Sequence, residues 1–277
     1  MEKYAIQIGE KWLPYREAAA GHFFPIHSSF NKVVNISTDQ GLLSVAAEGI
    51  GGSSSFLTIS GKFVACGAGG KCFVQAGRIQ FPGQTINFND AAVWKGPITK
   101  KYRNSGIKKE NITAFKAVLD RKAPPQSAWR YVSGNSECRY AGLKAILKLG
   151  ENPAEALNLI GLGQGLTPAG DDMLVGFLAM VNHAQEDSGF TRELHKIIRD
   201  SLHKTADISS QALVNALNGD YHEYIQNCIR DLCEGGQEEV YISAASLMSI
   251  GATSGSDIAC GMYYGMLNKN GHSATPP

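Results

Sequence analysis

Net charge is almost absent from this chain. Lysine and arginine total 26 against 25 aspartate and glutamate, a formal +1. No electrostatic field therefore draws it to nucleic acid or to an anionic membrane. Long apolar runs are missing too: the longest is about half of the ~20 residues that a membrane-spanning helix needs. The opening Met1-Glu-Lys-Tyr-Ala-Ile6 lacks a signal-peptide hydrophobic stretch, so the expected location is the cytoplasm. The six cysteines, Cys66, Cys72, Cys138, Cys228, Cys233 and Cys260, form no Cys-x-x-Cys pair and no zinc-spaced group with histidine. A chain of 277 residues has core enough to do without a disulfide framework.

Familiar catalytic signatures are lacking as well. Gly161-Leu-Gly-Gln-Gly165 is followed by Leu166 where a dinucleotide fingerprint needs glycine, and no Gly-Lys-Ser/Thr completes a phosphate loop. There is no Gly-x-Ser-x-Gly elbow and no kinase signature set.

What is present is a soluble, globular composition, 43% hydrophobic and 18% charged, with an excess of glycine that implies many tight turns and close backbone approaches. The expected fold class is α+β: a small β-rich domain, barrel or sandwich, over residues 1–105, then an all-helical domain over 106–277. Strands are expected at Val33–Ser37, Leu42–Ala46, Phe56–Ser60, Phe63–Cys66, Cys72–Gln75 and Gln84–Phe88, short and separated by turn residues. A hairpin turn is expected at Ser60-Gly-Lys62. The basic stretch Lys100, Lys101, Arg103, Lys108 and Lys109 reads as a solvated linker or an anion-attracting loop. Helical periodicity then covers 111–121, 135–149, 152–159, 171–184, 191–204, 208–218, 221–234, 237–249 and 257–268. Helices 171–184 and 257–268 are apolar nearly all round, as helices buried on every side are.

Two segments repeat each other. Gly165-Leu-Thr-Pro-Ala-Gly-Asp-Asp172 and Gly251-Ala-Thr-Ser-Gly-Ser-Asp257 each lead from a turn through an acid into an apolar helix. Thr167 aligns with Thr253, Gly170 with Gly255, Asp172 with Asp257 and Gly176 with Gly261. Helix starts present free N–H groups and a favourable dipole to an anion. Thr167, Thr253 and Ser254 would supply hydroxyls, and Gly163, Gly165, Gly170 and Gly255 exposed backbone. Asp171, Asp172 and Asp257 read as helix caps or as reacting carboxylates. Three carboxylates oppose an anion, so they either turn back to cap or are balanced by a cation such as Mg²⁺; no metal ligand set is assigned. His27 reads as a structural or a catalytic histidine. His183, His195, His203 and His222 read as surface groups on helices.

Gly163-Gln-Gly-Leu-Thr-Pro-Ala-Gly-Asp-Asp172 and Gly251–Asp257 resemble the two signature loops of a bacterial family once filed as a domain of unknown function, which includes the AllH-type subunit of oxamate carbamoyltransferase. His27-Ser-Ser-Phe30, followed by Asn35, resembles that family's N-terminal segment. Residues 38–110 match only in general character. The resemblance implies a carbamoyltransferase subunit of anaerobic purine and allantoin nitrogen use, turning oxalurate and phosphate into oxamate and carbamoyl phosphate. It implies activity with other subunits of a complex, and the chain has no Ser-Thr-Arg-Thr loop of ordinary carbamoyltransferases. Asp171, Asp172 and Asp257 are then the candidate catalytic groups. Gly163, Gly165, Thr167, Gly170, Thr253, Ser254, Gly255, His27 and Asn35 are the candidates for substrate binding. No organic cofactor is implied, and self-association is compatible with this reading. The alternatives are a non-catalytic scaffold subunit, and a stand-alone enzyme on a small phosphorylated or carboxylated metabolite.

Overall fold

Apolar side chains alternate along the first third of the chain and close it into a barrel. In β3 (Val33–Thr38) and β4 (Gly41–Ala47) the inward residues are Val34, Ile36, Leu43 and Val45. β5 (Phe56–Ile59) adds Leu57 and Ile59, and β6 (Lys71–Gln75) adds Cys72 and Val74. Period-2 alternation is what places them all on one face. The remaining strands are β1 (Glu2–Ile8), β2 (His22–Ser29), β7 (Arg78–Phe81), β8 (Gln84–Asn87) and the two-residue β9 (Ala92–Val93). Their order is β5-β4-β3-β2-β6-β7-β8-β1-β9. β1 also pairs antiparallel with β5, Ala5 opposite Ile59, which closes eight strands and decides for a barrel over a sandwich. Trp12 lies wholly inside and donates from Nε1 to the Ser55 carbonyl at 2.9 Å.

The computed structural model describes residues 2–61, 67–96, 106–134, 140–184 and 188–269. The chain divides into two units, Met1–Gly96 and Pro97–Pro277. The boundary expected near 105, Lys100, Lys101 and Arg103, the strand Phe63–Cys66, Lys62 of the expected turn and the first part of helix 135–149 lie outside the described residues.

The second unit is helical, so the chain as a whole is α+β. After α1 (Leu13–Glu17) of the barrel unit come α2 (Lys109–Lys122), α3 (Ala128–Val132), α4 (Ile146–Leu149) and α5 (Ala156–Leu159). They are followed by α6 (Ala169–Ala184), α7 (Gly189–Ser201), α8 (Asp207–Leu217), α9 (Glu223–Cys233), α10 (Gln237–Leu247) and α11 (Ser254–Lys269). Helix α3 is a gain over the sequence reading. His183 corrects that reading: it is buried, with Nε2 3.4 Å from Cys233 Sγ. Cys260 is a core residue, as its apolar neighbours imply.

α6 and α11 form the centre. Met173, Leu174, Phe177, Leu178 and Met180 of α6 are fully buried, as are Cys260, Met262 and Met266 of α11. The two helices cross at glycine. A Cβ on Gly176 would stand 1.9 Å from the Ile258 carbonyl oxygen, and one on Gly261 would stand 1.9 Å from that of Met173. Each glycine forgoes roughly 1 kcal/mol of helix propensity relative to alanine. Backbone-to-backbone contact at that distance is open only to glycine.

Candidate functional site

The glycine crossing sets two helix starts side by side. Thr167 Oγ1 and Ser254 Oγ are 3.0 Å apart although 87 residues separate them in sequence. The halves repeat in detail. Gly170 N–H donates to Leu162 O at 2.9 Å, and Gly255 N–H donates to Ile250 O at 3.0 Å. A Cβ on Gly170 would lie 2.0 Å from Leu159 O, and one on Gly255 2.0 Å from Leu247 O. Both glycines are thus buried packing positions that press each helix start onto the helix before it.

This local twofold revises the alignment of the loops. Asp172 N–H donates to Pro168 O and Asp257 N–H to Thr253 O, so Thr253 is the counterpart of Pro168, not of Thr167. The first loop has three extra residues between its equivalent glycines, Gly163 and Gly170, compared with Gly251 and Gly255. Those extra residues carry Thr167 across to Ser254. Gln164 to Thr167 and Gly251 to Ala252 are exposed, and Gly163 is half-buried. Among the described residues no acceptor is found for the backbone N–H groups of 163–167 or of 251–253. The surface between the helix starts thus carries hydroxyls and unpaired N–H groups, the donor set that holds anions.

The three carboxylates turn inward. Asp171 is 1% exposed; its Oδ1 accepts from Gly161 N–H at 2.8 Å and its Oδ2 from the Thr205 hydroxyl. Asp257, also 1% exposed, accepts from Ala128 N–H at 2.6 Å. It caps α3 rather than its own helix, giving an acceptor to an N–H that a helix start leaves orphaned. Asp172 is 6% exposed, and its Oδ2, Asp257 Oδ2 and Ser256 Oγ have no hydrogen-bond partner among the described residues. Burial pushes all three carboxyls up. For Asp171 the hydroxyls of Thr205 and Ser209 and the Gly161 N–H oppose it. For Asp172, burial outweighs the Ser254 hydroxyl, and the charges of Asp257 and Asp171 add to the rise. For Asp257 burial wins over the Ala128 N–H and the Thr253 hydroxyl, and the carboxyl reaches about 7. The conflict between helix dipoles and acids noted in the sequence is eased this way: the carboxyls turn inward, where burial raises them, and leave the loop surface to the N–H groups.

Among the described residues no three His, Cys, Asp or Glu side chains are grouped so as to hold a metal ion. Asp171 and Asp257 act as ties between segments. Sequence reasoning missed Ser256, Thr205 and the Ala128 N–H. The 85-residue offset that pairs Asp172 with Asp257 also pairs Asp171 with Ser256, so Ser256 was within reach. Thr205 and Ala128 carried no such signal.

His27 and Asn35 belong to the barrel unit. His27 occupies a bulge in β2, with Nδ1 3.2 Å from Ser28 Oγ; a bulge re-aims its side chain. Asn35 Nδ2 donates to Ser28 Oγ at 2.9 Å, and Ser44 Oγ donates to Asn35 Oδ1 at 2.7 Å. Asn35 thereby ties β2, β3 and β4 together.

The loop-bearing segment matches a known family. Residues 159–266 match the family model described as oxamate carbamoyltransferase subunit AllH. The AllH match takes in both loops, α6 and most of α11, the elements related by the local twofold. It does not extend to the barrel, where His27 and Asn35 stand. Its description carries a role in oxamate carbamoyltransferase and, through the word subunit, a multi-subunit assembly. No curated protein and no solved structure matches the chain. Among the described residues no helix is long and apolar enough to cross a membrane.

Proposed function

We propose that this chain is a cytoplasmic subunit of an oxamate carbamoyltransferase serving purine and allantoin nitrogen use, active with partner subunits. Its two paired loops bind the anionic reactant. The observation that carries the proposal is the Thr167–Ser254 hydroxyl contact between two helix starts, inside the segment that matches AllH. In the reaction a phosphate oxygen adds to the carbamoyl carbon of oxalurate. The bond from that carbon to the oxamate nitrogen breaks, and the nitrogen takes a proton. N–H groups of the loops and the Thr167 and Ser254 hydroxyls hold the charge that develops on the transferred group, while the Thr253 hydroxyl is engaged by Asp257. Asp172, which engages the Ser254 hydroxyl, is assigned to proton delivery. Asp171 and Asp257 hold the loops in place.

The test is a phosphorolysis assay on the purified chain alone and with its partner subunits. Thr167→Val with Ser254→Ala should lower the rate of the assembled complex by roughly 10²-fold, the usual cost of losing donors to developing charge. Full activity in that variant would end the proposal. The depth of the carboxyls, 1%, 6% and 1% exposed, favours a second reading in which this subunit scaffolds a site held elsewhere; that reading expects the unchanged rate.

A further inference from the structure

The helical unit holds a cleft of about 430 Å³ between α2 and the C-terminal half of α11. Ile107, Ile112 and Leu267 form its apolar walls, and Lys109, Lys116, Thr113 and Tyr263 supply its polar groups. Tyr263 on α11 is nine residues beyond Ser254, about 13 Å along the helix from the loops. That volume falls in the range of small-molecule sites, which are apolar pockets with a few convergent polar groups.

The polar groups are arranged, not scattered. Lys116 Nζ is 2.9 Å from Asp120 Oδ2 and 5.6 Å from the centre of the Trp129 ring. Asp120 is fixed in turn, because its Oδ1 accepts from Trp129 Nε1 at 3.1 Å. Tyr263 stands edge-on to the same Trp129 ring, with centroids 5.2 Å apart. Lys116 therefore has a preset position, held by Asp120 and the buried Trp129 ring. Lys109 lies on the same helix two turns earlier, on the same side. Asp120 neutralises Lys116, and Lys109 keeps the charge among the described lining residues positive. A slot with apolar walls and a net positive charge among its described residues is matched by a small organic anion, its charged head at the lysines and its apolar body between Ile112 and Leu267.

We propose that this cleft binds a small organic anion, a carboxylate or phosphate head on an apolar body, at a site separate from the paired loops. Calorimetric titration of the full chain with benzoate and with phenylphosphate tests it, with benzyl alcohol as the uncharged control. At least one anion should bind with a stoichiometry of one, and the tighter of the two identifies the head group. Lys109→Gln with Lys116→Gln should weaken it roughly tenfold or more per cation, the scale of one charge-assisted hydrogen bond. Leu267→Trp, which fills the slot without touching the lysines, should abolish it. Thr167→Val with Ser254→Ala should leave it intact, which separates this site from the loops. The proposal is overturned if neither anion binds or if benzyl alcohol binds as well. It is equally overturned if the lysine and Leu267 variants bind normally, or if binding disappears in the loop variant instead.

Discussion

The half of the helical core that begins at Gly163 and the half that begins at Gly251 share their packing and differ in their chemistry. Gly176 and Gly261 make reciprocal contacts, and Gly170 and Gly255 make equivalent ones. At the next position the first half has Asp171, tied to Gly161 and Thr205. The second has Ser256, fully buried and without a partner among the described residues. The crossing demands the same residue twice because backbone contact admits nothing larger. The polar positions are free to diverge because each answers to a different neighbouring segment.

The largest test breaks the shared part. Gly176→Ala and Gly261→Ala should each cost about 3 kcal/mol or more, since the added methyl meets backbone that cannot swing aside. Denaturant unfolding should show similar losses for both; one tolerant glycine would disprove the reciprocal crossing. The unlike positions come next. Asp171→Ala should cost about 2 kcal/mol, because it leaves the half-buried Gly161 N–H and Thr205 hydroxyl without their acceptor. Ser256→Ala should change stability by less than about 0.5 kcal/mol, as no bond is lost. Equal effects would mean that the halves are not chemically distinct.

A pH profile sharpens the carboxylates. The folded chain holds the Asp257 proton at about 7 against the usual 3.8, so it binds that proton more tightly than the unfolded chain does. Its contribution is complete below pH 4 and is lost as pH rises through about 7. Stability should fall by roughly 4 kcal/mol across that window, at about 1.4 kcal/mol per pH unit. Asp257→Asn keeps an oxygen for Ala128 N–H and should flatten part of the fall; an unchanged slope would show that Asp257 does not carry it. The smallest effect on stability is expected at the surface pair. Thr167→Val should shift unfolding by no more than about 0.5 kcal/mol, so any loss of transferase rate in that variant reports on the site and not on the fold.

The helices were legible because their apolar period persists over many residues, and α6 and α11 stood out by being apolar all round. Strands β1, β2 and β7 were not. Pro25 interrupts β2 in a way that argues against a strand, β7 is only four residues long, and both β1 and β2 contain bulges that break the alternation. Of the site, the meeting of the loops could be read from their repetition. The inward turn of the aspartates could not, because Ala128, Thr205 and Gly161 reach them through tertiary packing that leaves no local pattern. The register of Thr253 was misread because three extra residues in the first loop let the threonines align in sequence and not in space.

The Ala128–Asp257 bond joins positions 129 residues apart, and this bears on the order in which the unit is made. The start of α3 leaves the ribosome long before the carboxylate that caps it, and α6 long before the helix that fills its glycine notch. Until α11 arrives, the apolar girth of α6 has only part of its cover. Such late closure slows folding and leaves sticky surface exposed during synthesis. The helical unit is thus sealed from its distal end, and the stretch that carries Asp257 and Gly261 is the clasp.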